Sequence, residues 1–250
     1  ILGTDIWKYN KAVKDKSVGQ EAIESVLRQI IQVKVIGKEA AIEKVQLETD
    51  EKEEADYRAK TVFDSISAKD KQTQGIELKV LSKIFEENKL AQKMYNVQMG
   101  KLKIDYAANT LSAAKVELIY QAANAKNKET VKNTMSQILS EVTSSQNSFY
   151  TVAKNKTQAD AIEYVIGNQD SRTNLAKAVV SLKKNQTSAL IEEKDGFYIA
   201  HCIQTNSAAL QQQYRNQLVS EKQTESFQKT YKIWSDKFDV KVSKALLAAN

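Results

Sequence analysis

The chain has 250 residues and no proline. Average usage would put about 12 prolines in this length. Glycine is nearly as scarce, with 7 residues where about 18 would be ordinary. Few turns can be set by a ring-locked or left-handed backbone, and helices run without their usual breakers. Long helices joined by Asn, Ser, Lys and Asp loops are expected. All-β architectures built on Gly/Pro-rich turns are disfavoured, as is any Gly-rich phosphate loop.

Several function classes fall on counts alone. Hydrophobic residues at 42% and charged residues at 27% are the balance of a folded chain rather than a disordered one. One Cys and one His cannot make an intrachain disulfide or a structural zinc site, so no metal and no cofactor are expected. No run of about 18 apolar residues is present to span a membrane. The net charge of +6 is spread among residues of both signs without a basic run. Nucleic acid is therefore not an expected partner, and a weak preference for anionic surfaces is the most the charge implies. The sequence begins at Ile1 rather than Met, as a trimmed or mature chain does.

Helical periodicity dominates the first part. Ile6, Tyr9, Ala12 and Val13 have helical spacing up to about Lys14. From Glu21 to Val45, the residues Ile23, Val26, Leu27, Ile30, Ile31, Val35 and Ile36 recur at i, i+3, i+4 and predict one wide buried stripe. Thr49 or Asp50 is the expected cap of a helix to about Ile66. Its acids Asp50, Glu51, Glu53 and Glu54 read as first-turn charges on a solvated face rather than a metal cluster. A polar segment from Ser67 to Gly75 leads to a helix over Ile76–Gly100, and Asp105 is placed to cap a brief one to about Ala113.

The period then changes. Val116–Tyr120 reads as a strand, and helices are expected over Glu129–Val142, Asn147–Lys154 and Thr173–Leu182. Thr187–Ile191 and Phe197–Ile203 flank Glu193-Lys-Asp-Gly196 as a hairpin. Ala208–Phe238 reads as one long helix, with Asp239–Val242 briefly extended. The expected class is α+β, predominantly helical. A helical domain of residues 1–112 and 206–250 is interrupted by an inserted α+β module of residues 113–205, since the flanking helices are too one-sided to stand alone.

Three stretches in this order carry a resemblance. Leu175-Ala-Lys-Ala-Val-Val-Ser-Leu-Lys-Lys-Asn-Gln-Thr-Ser188 resembles the parvulin helix and turn, aromatic-x-x-Ala-x-Phe-Ser-Leu-x-x-Gly-x-x-Ser. Gly196-Phe-Tyr-Ile-Ala-His-Cys-Ile203 resembles the closing strand, Gly-Tyr-His-Ile-Ile. Leu27–Val35, Glu87–Tyr95 and Trp234–Val242 are similar to the helical chaperone part and its tail. Together they resemble the SurA/PrsA-type extracytoplasmic foldase chaperones, which carry a parvulin-like (PpiC-type) peptidyl-prolyl isomerase module. The resemblance implies a helical chaperone domain that binds unfolded or newly secreted polypeptides. It also implies a secreted protein or a lipoprotein, with a lipid anchor upstream of Ile1 as its only tie to the membrane. Dimerisation through the helical domain is open.

The family's site maps onto altered residues. Its two histidines fall on Leu118 and Tyr198, and its acidic or Cys position on Asp160. The helix positions that supply pocket aromatics are Leu175 and Val180. The Gly-Gly-Asp-Leu-Gly loop is not recognisable in Ile162–Gly167. The catalytic candidates are thus Tyr198, Leu118 and Asp160, and the substrate-binding candidates Leu175 and Val180. On the closing strand His201 alternates away from Tyr198 and reads as a satisfied strand histidine, while Cys202 reads as a buried small residue. The leading expectation is a foldase or holdase whose module lacks efficient isomerase activity. An active isomerase using Tyr198 in a remodelled pocket, and a scaffold or adhesion protein on the same fold, are the alternatives.

Overall fold

The computed structural model describes residues 18–107, 110–144 and 148–239. The spacing read over residues 1–14 and the extended tail at 240–242 lie outside them. Compactness divides the chain into two units: the described residues before 104 and from 223 form one, and residues 104–222 form the other. The fold class is α+β and mainly helical, with a four-stranded antiparallel sheet in the inserted unit.

The helical unit holds α1 (Val18–Ile42), α2 (Thr49–Ser65), α3 (Ala68–Thr73) and α4 (Leu78–Gly100). Its core gathers Val35, Ile36 and Ala40 of α1, Met94 and Met99 of α4, and Phe227 and Trp234. The wide stripe expected on α1 splits in two. The Val35–Ile36–Ala40 edge is buried, whereas Val26 and Ile30 are 53% and 47% exposed. The cap of α2 lies one residue earlier than expected. Glu48 is the N-cap, and its N–H donates to Glu51 Oε2 at 2.8 Å. The acids of that first turn are not simply solvated. Glu51 pairs with Lys93 at 2.6 Å, and Glu54 with Lys89 and Arg58, so the row ties α2 to α4. Ser67 caps α3 by accepting the Asp70 N–H at 3.1 Å. The brief helix expected from Asp105 to about Ala113 falls partly on residues 108–109, outside the described residues. Residues 104–107 have no regular structure, and Leu111 and Ala113 instead feed a small core with Tyr214 and Leu218.

In the inserted unit the strand order is β2-β1-β4-β3, with every pair antiparallel. The central strand β1 (Ala113–Ala122) is twice the expected length, because both its neighbours extend the ladder. The strand β2 (Glu163–Gly167) occupies the stretch in which the family's glycine loop could not be found. Of the segment Thr187–Ile191, only Ile191 enters the strand β3 (Ile191–Glu193). Thr187 makes a single bridge to His201. The hairpin into β4 (Gly196–Gln204) closes at Glu193↔Gly196, so two residues, Lys194 and Asp195, form its turn rather than four. The helices are α5 (Lys128–Ser144), α6 (Phe149–Lys156) and α7 (Thr173–Ser181). The last helix, α8 (Ala208–Ser235), counts with the sheet up to 222 and with the other helices from 223.

The turns of this unit are built from side-chain amides. Asn168 Nδ2 donates to the Thr110 carbonyl at 2.8 Å, and Asn168 Oδ1 accepts the Ser112 N–H at 3.1 Å. Asn206 Oδ1 accepts the Ala113 N–H at 3.1 Å.

Candidate functional site

Strand alternation sorts the sheet into two faces. One carries Val116 and Leu118 of β1, Ile166 of β2, and Tyr198, Ala200 and Cys202 of β4. It is covered by Leu175, Val179 and Leu182 of the α7 region. The other carries Ile119, Phe197 and Ile199 against Met135, Ile138, Phe149 and Val152 of α5 and α6.

The register places Tyr198 opposite Tyr120 and Leu118 opposite Ala200. The Tyr120 and Tyr198 rings stack with centroids 4.6 Å apart. The Tyr198 hydroxyl donates to Asp195 Oδ2 at 2.6 Å, and the Tyr120 hydroxyl to the Asp195 carbonyl at 3.0 Å. Arg172 lies over the Tyr198 ring, 5.5 Å from its centroid. Its guanidinium is held by both oxygens of Asp170, at 2.9 and 2.7 Å. The hydrogen bond to Asp170 keeps Arg172 charged beyond its ordinary range. Burial, reinforced by the bond to Asp195, pushes the Tyr198 phenol well above its ordinary value. Tyr198 is therefore a locked donor, not a source of phenolate at neutral pH. The Glu193 carboxylate adds a tie from the hairpin to α7, accepting the Asn174 and Leu175 N–H groups at 2.7 and 2.9 Å. These are first-turn donors that otherwise lack partners.

Residues 111–204 match the rotamase family, the PPIC-type PPIase domain. The parvulin-like reading of this stretch is thereby borne out. No curated protein matches the chain. Among solved structures, a PpiC-type peptidyl-prolyl cis-trans isomerase domain is similar at 20% identity, over 40% of this chain and 98% of that one, with a TM-score of 0.35. PrsA from Bacillus anthracis is similar at 15% identity over 87% and 99%, with a TM-score of 0.45. One of two SurA-like chaperones from Campylobacter jejuni is similar at 12% identity over 96% and 94%, with a TM-score of 0.33.

The PPIC-type module gathers some of the sequence-derived candidates and separates others. Leu118, Leu175 and Tyr198 meet in one buried cluster, each at most 3% exposed. Val180 is half-buried and outside that cluster; its neighbour Val179 is the residue that turns inward. Asp160 is exposed in the bend before β2, and the carboxylate on the Tyr198 hydroxyl is Asp195. Sequence reasoning passed over Tyr120, Arg172, Asp170 and Asp195. The signal for Tyr120 was in the hairpin. Once Gly196 is set opposite Ala122, Tyr198 must face Tyr120.

Cys202 is fully buried, and burial pushes its thiol above the ordinary value. Among the described residues no three His, Cys, Asp or Glu side chains are grouped to hold a metal ion, and no helix is long and apolar enough to cross a membrane.

His201 stands on the opposite face from Tyr198. It stacks on Phe149 at 5.3 Å, and its Nδ1 is 2.9 Å from Thr187 Oγ1. Burial lowers its pKa from the ordinary 6.5. The unfolded chain therefore takes up this proton first as pH falls, and stability drops below about pH 6.5 until the folded value is passed. Glu117, paired across the strands with His201, is raised from its ordinary 4.5 by burial and then by Glu163. Its contribution has the opposite sign: stability is gained as pH falls through its raised folded value toward 4.5. Urea midpoints of the wild type are expected to fall between pH 7.5 and 5.5. The His201→Gln variant should lose that fall, since no other histidine exists in the chain.

Proposed function

We propose that this chain is an extracytoplasmic protein-folding chaperone. Its helical domain, residues 1–112 with 206–250, holds unfolded or newly secreted polypeptides. Its PPIC-type module, residues 113–205, binds or shields them without efficient isomerase activity. The protein acts as a secreted chain or from a lipid anchor at the outer face of the cell membrane. The observation that carries the reading is the filled site. Leu118 and Leu175 stand as closed core beside Tyr198, and the Tyr198 hydroxyl is committed to Asp195.

Prolyl isomerisation needs an apolar seat for the ring and a setting that weakens the planar amide, whose rotation barrier is about 18–20 kcal/mol. Here three of the family's site positions, Leu118, Leu175 and Tyr198, seat one another. The test uses the full chain. X-Pro peptide relaxation, which takes tens to hundreds of seconds unaided, is expected to stay within about twofold of background at micromolar protein. In the same preparation, stoichiometric excess is expected to slow aggregation of a denatured client. An acceleration that Tyr198→Phe lowers would make the module an isomerase with a rebuilt site. Failure to slow aggregation would remove the chaperone reading itself.

A further inference from the structure

A helix start usually carries a side chain that can accept a hydrogen bond, because the first turn has N–H groups without partners. At the start of α7 the N-cap is Arg172, which has no acceptor and makes no side-chain cap bond. Capping falls to Glu193, reaching across from the hairpin. The Arg172 side chain is spent elsewhere. Its Nε and Nη2 grip the Asp170 carboxylate, and its guanidinium lies over the Tyr198 ring. Tyr120 stacks on the same ring, and the guanidinium covers what that stack leaves. The Arg172 side chain is 32% exposed, whereas Tyr198 is 3% exposed. Arg172 is therefore the layer between this ring and solvent.

The backbone that carries this arginine is fastened independently of it. The Gln169 N–H donates to the Tyr214 hydroxyl at 3.1 Å, and the Asp170 N–H to the Gly167 carbonyl at 3.1 Å. Gly167 lies so close to Tyr214 that a Cβ on it would fall 2.3 Å from the ring. The Arg172 N–H donates to Asp170 Oδ1 at 2.9 Å, a bond that does not depend on the Arg172 side chain. Uncovering Tyr198 therefore needs only the swing of one side chain. Core residues such as Leu118 and Leu175 cannot leave the ring without opening a cavity; the arginine can.

We propose that Arg172 is a built-in occupant of the PPIC-type module, covering the Tyr198 surface on which a prolyl ring would otherwise rest. This rests on the reading of the module given above and names what closes it. An aromatic face is negative at its centre and positive at its edge, so it draws a guanidinium. Aromatic surfaces also dock proline-bearing segments. The two ligands compete for one surface. A tethered arginine meets that surface at far higher effective concentration than a separate peptide does, and the fork of Asp170 holds it there. The module is thus shut by a side chain that can be removed, on a site whose aromatic pair is still assembled.

The test pairs two readouts on the full chain. Anisotropy follows binding of a fluorescein-labelled, uncharged Ala-Ala-Pro-Ala peptide, with an all-alanine peptide as its control. Hydroxyl-radical oxidation of Tyr198, quantified by mass spectrometry, reports whether the ring is open to solvent. Arg172→Ala is expected to raise Tyr198 oxidation about threefold or more. It should also tighten the prolyl peptide about fivefold or more, leaving the all-alanine peptide unchanged. Asp170→Asn, which weakens the grip but keeps the arginine, should fall between that variant and wild type. Ser171→Ala, exposed in the same loop, should match wild type. A folded Arg172→Ala protein with Tyr198 still protected would overturn the proposal, and so would an opened ring that binds the prolyl peptide no better. If Arg172→Ala loses its circular dichroism signal, Asp170→Asn decides by the same two readouts, and wild-type values there overturn the proposal. A wild type that itself accelerates X-Pro relaxation removes the closed-module reading and this proposal with it. A wild type that does not slow client aggregation removes the chaperone reading and leaves the arginine cover standing.

Discussion

Gly196→Ala is expected to destabilise the sheet unit by about 3–5 kcal/mol, at the severe end for a single substitution. Gly196 opens β4 at φ +154, a region that residues with a side chain rarely enter, and a Cβ there would lie 2.1 Å from the Gln121 carbonyl oxygen. That oxygen cannot retreat cheaply, because Gln121 and Ala122 are paired with Phe197 and Gly196 in the central ladder. The same Cβ would press on the Tyr120 ring at 2.9 Å, and so on the Tyr120–Tyr198 stack. Strain of this kind persists only where surrounding structure enforces it; here the hairpin itself would have to open. Urea denaturation followed by circular dichroism measures the loss. Lys194→Ala, two positions away in the turn and exposed, should change stability by less than about 0.5 kcal/mol. A Gly196→Ala protein as stable as that control would show that the turn relaxes freely.

Phe227→Ala is expected to cost the helical unit about 3–5 kcal/mol. The Phe227 ring meets Tyr95 edge-on at 4.8 Å and Trp234 at 5.9 Å with planes 87° apart. Aromatic pairs in such geometry add about 0.5–1.5 kcal/mol each beyond the area they bury. Truncation removes both contacts and leaves a void beside Met94, which is fully buried. Trp234, only 4% exposed, reports the change directly. Its emission should shift to the red in Phe227→Ala even before unfolding. Phe227→Leu keeps most of the volume and should retain most of the stability. Equal midpoints for Phe227→Ala and wild type would mean that the core collapses around the gap.

The helices were legible because their apolar spacing is long and repeated. What the spacing could not say is how much of a stripe finds a partner. Val26, Ile30, Val35 and Ile36 look alike in sequence, yet only the last two are buried. Burial belongs to the neighbour, and Met94 and Phe227 reach only one edge of α1. The strand β2 was missed because five residues beginning with an exposed glutamate are too few for a period to show. The hairpin was legible through Asp195-Gly196, but its two-residue turn followed from pairing at Glu193↔Gly196. Within the site, Leu118, Leu175 and Tyr198 were reachable by motif. Arg172 and Asp170 were not, since they lie 26 and 28 positions from Tyr198 and are brought near it by the placement of α7. On α7, one residue of register separates Val180 from Val179, a distinction the resemblance could not make.

A chain that sets its turns with amides instead of proline rings also sets how it ages. Asn168 holds the Thr110 carbonyl through its side-chain nitrogen, and the Ser112 N–H through its oxygen. Hydrolysis of that amide leaves the second bond and turns the first into a carboxylate facing a carbonyl, two acceptors with no proton between them. Asn206, at the other end of the module, uses only its oxygen and would survive the same chemistry. Slow deamidation in storage therefore falls unevenly on the two threads that lead into and out of the sheet, and the entry loosens first.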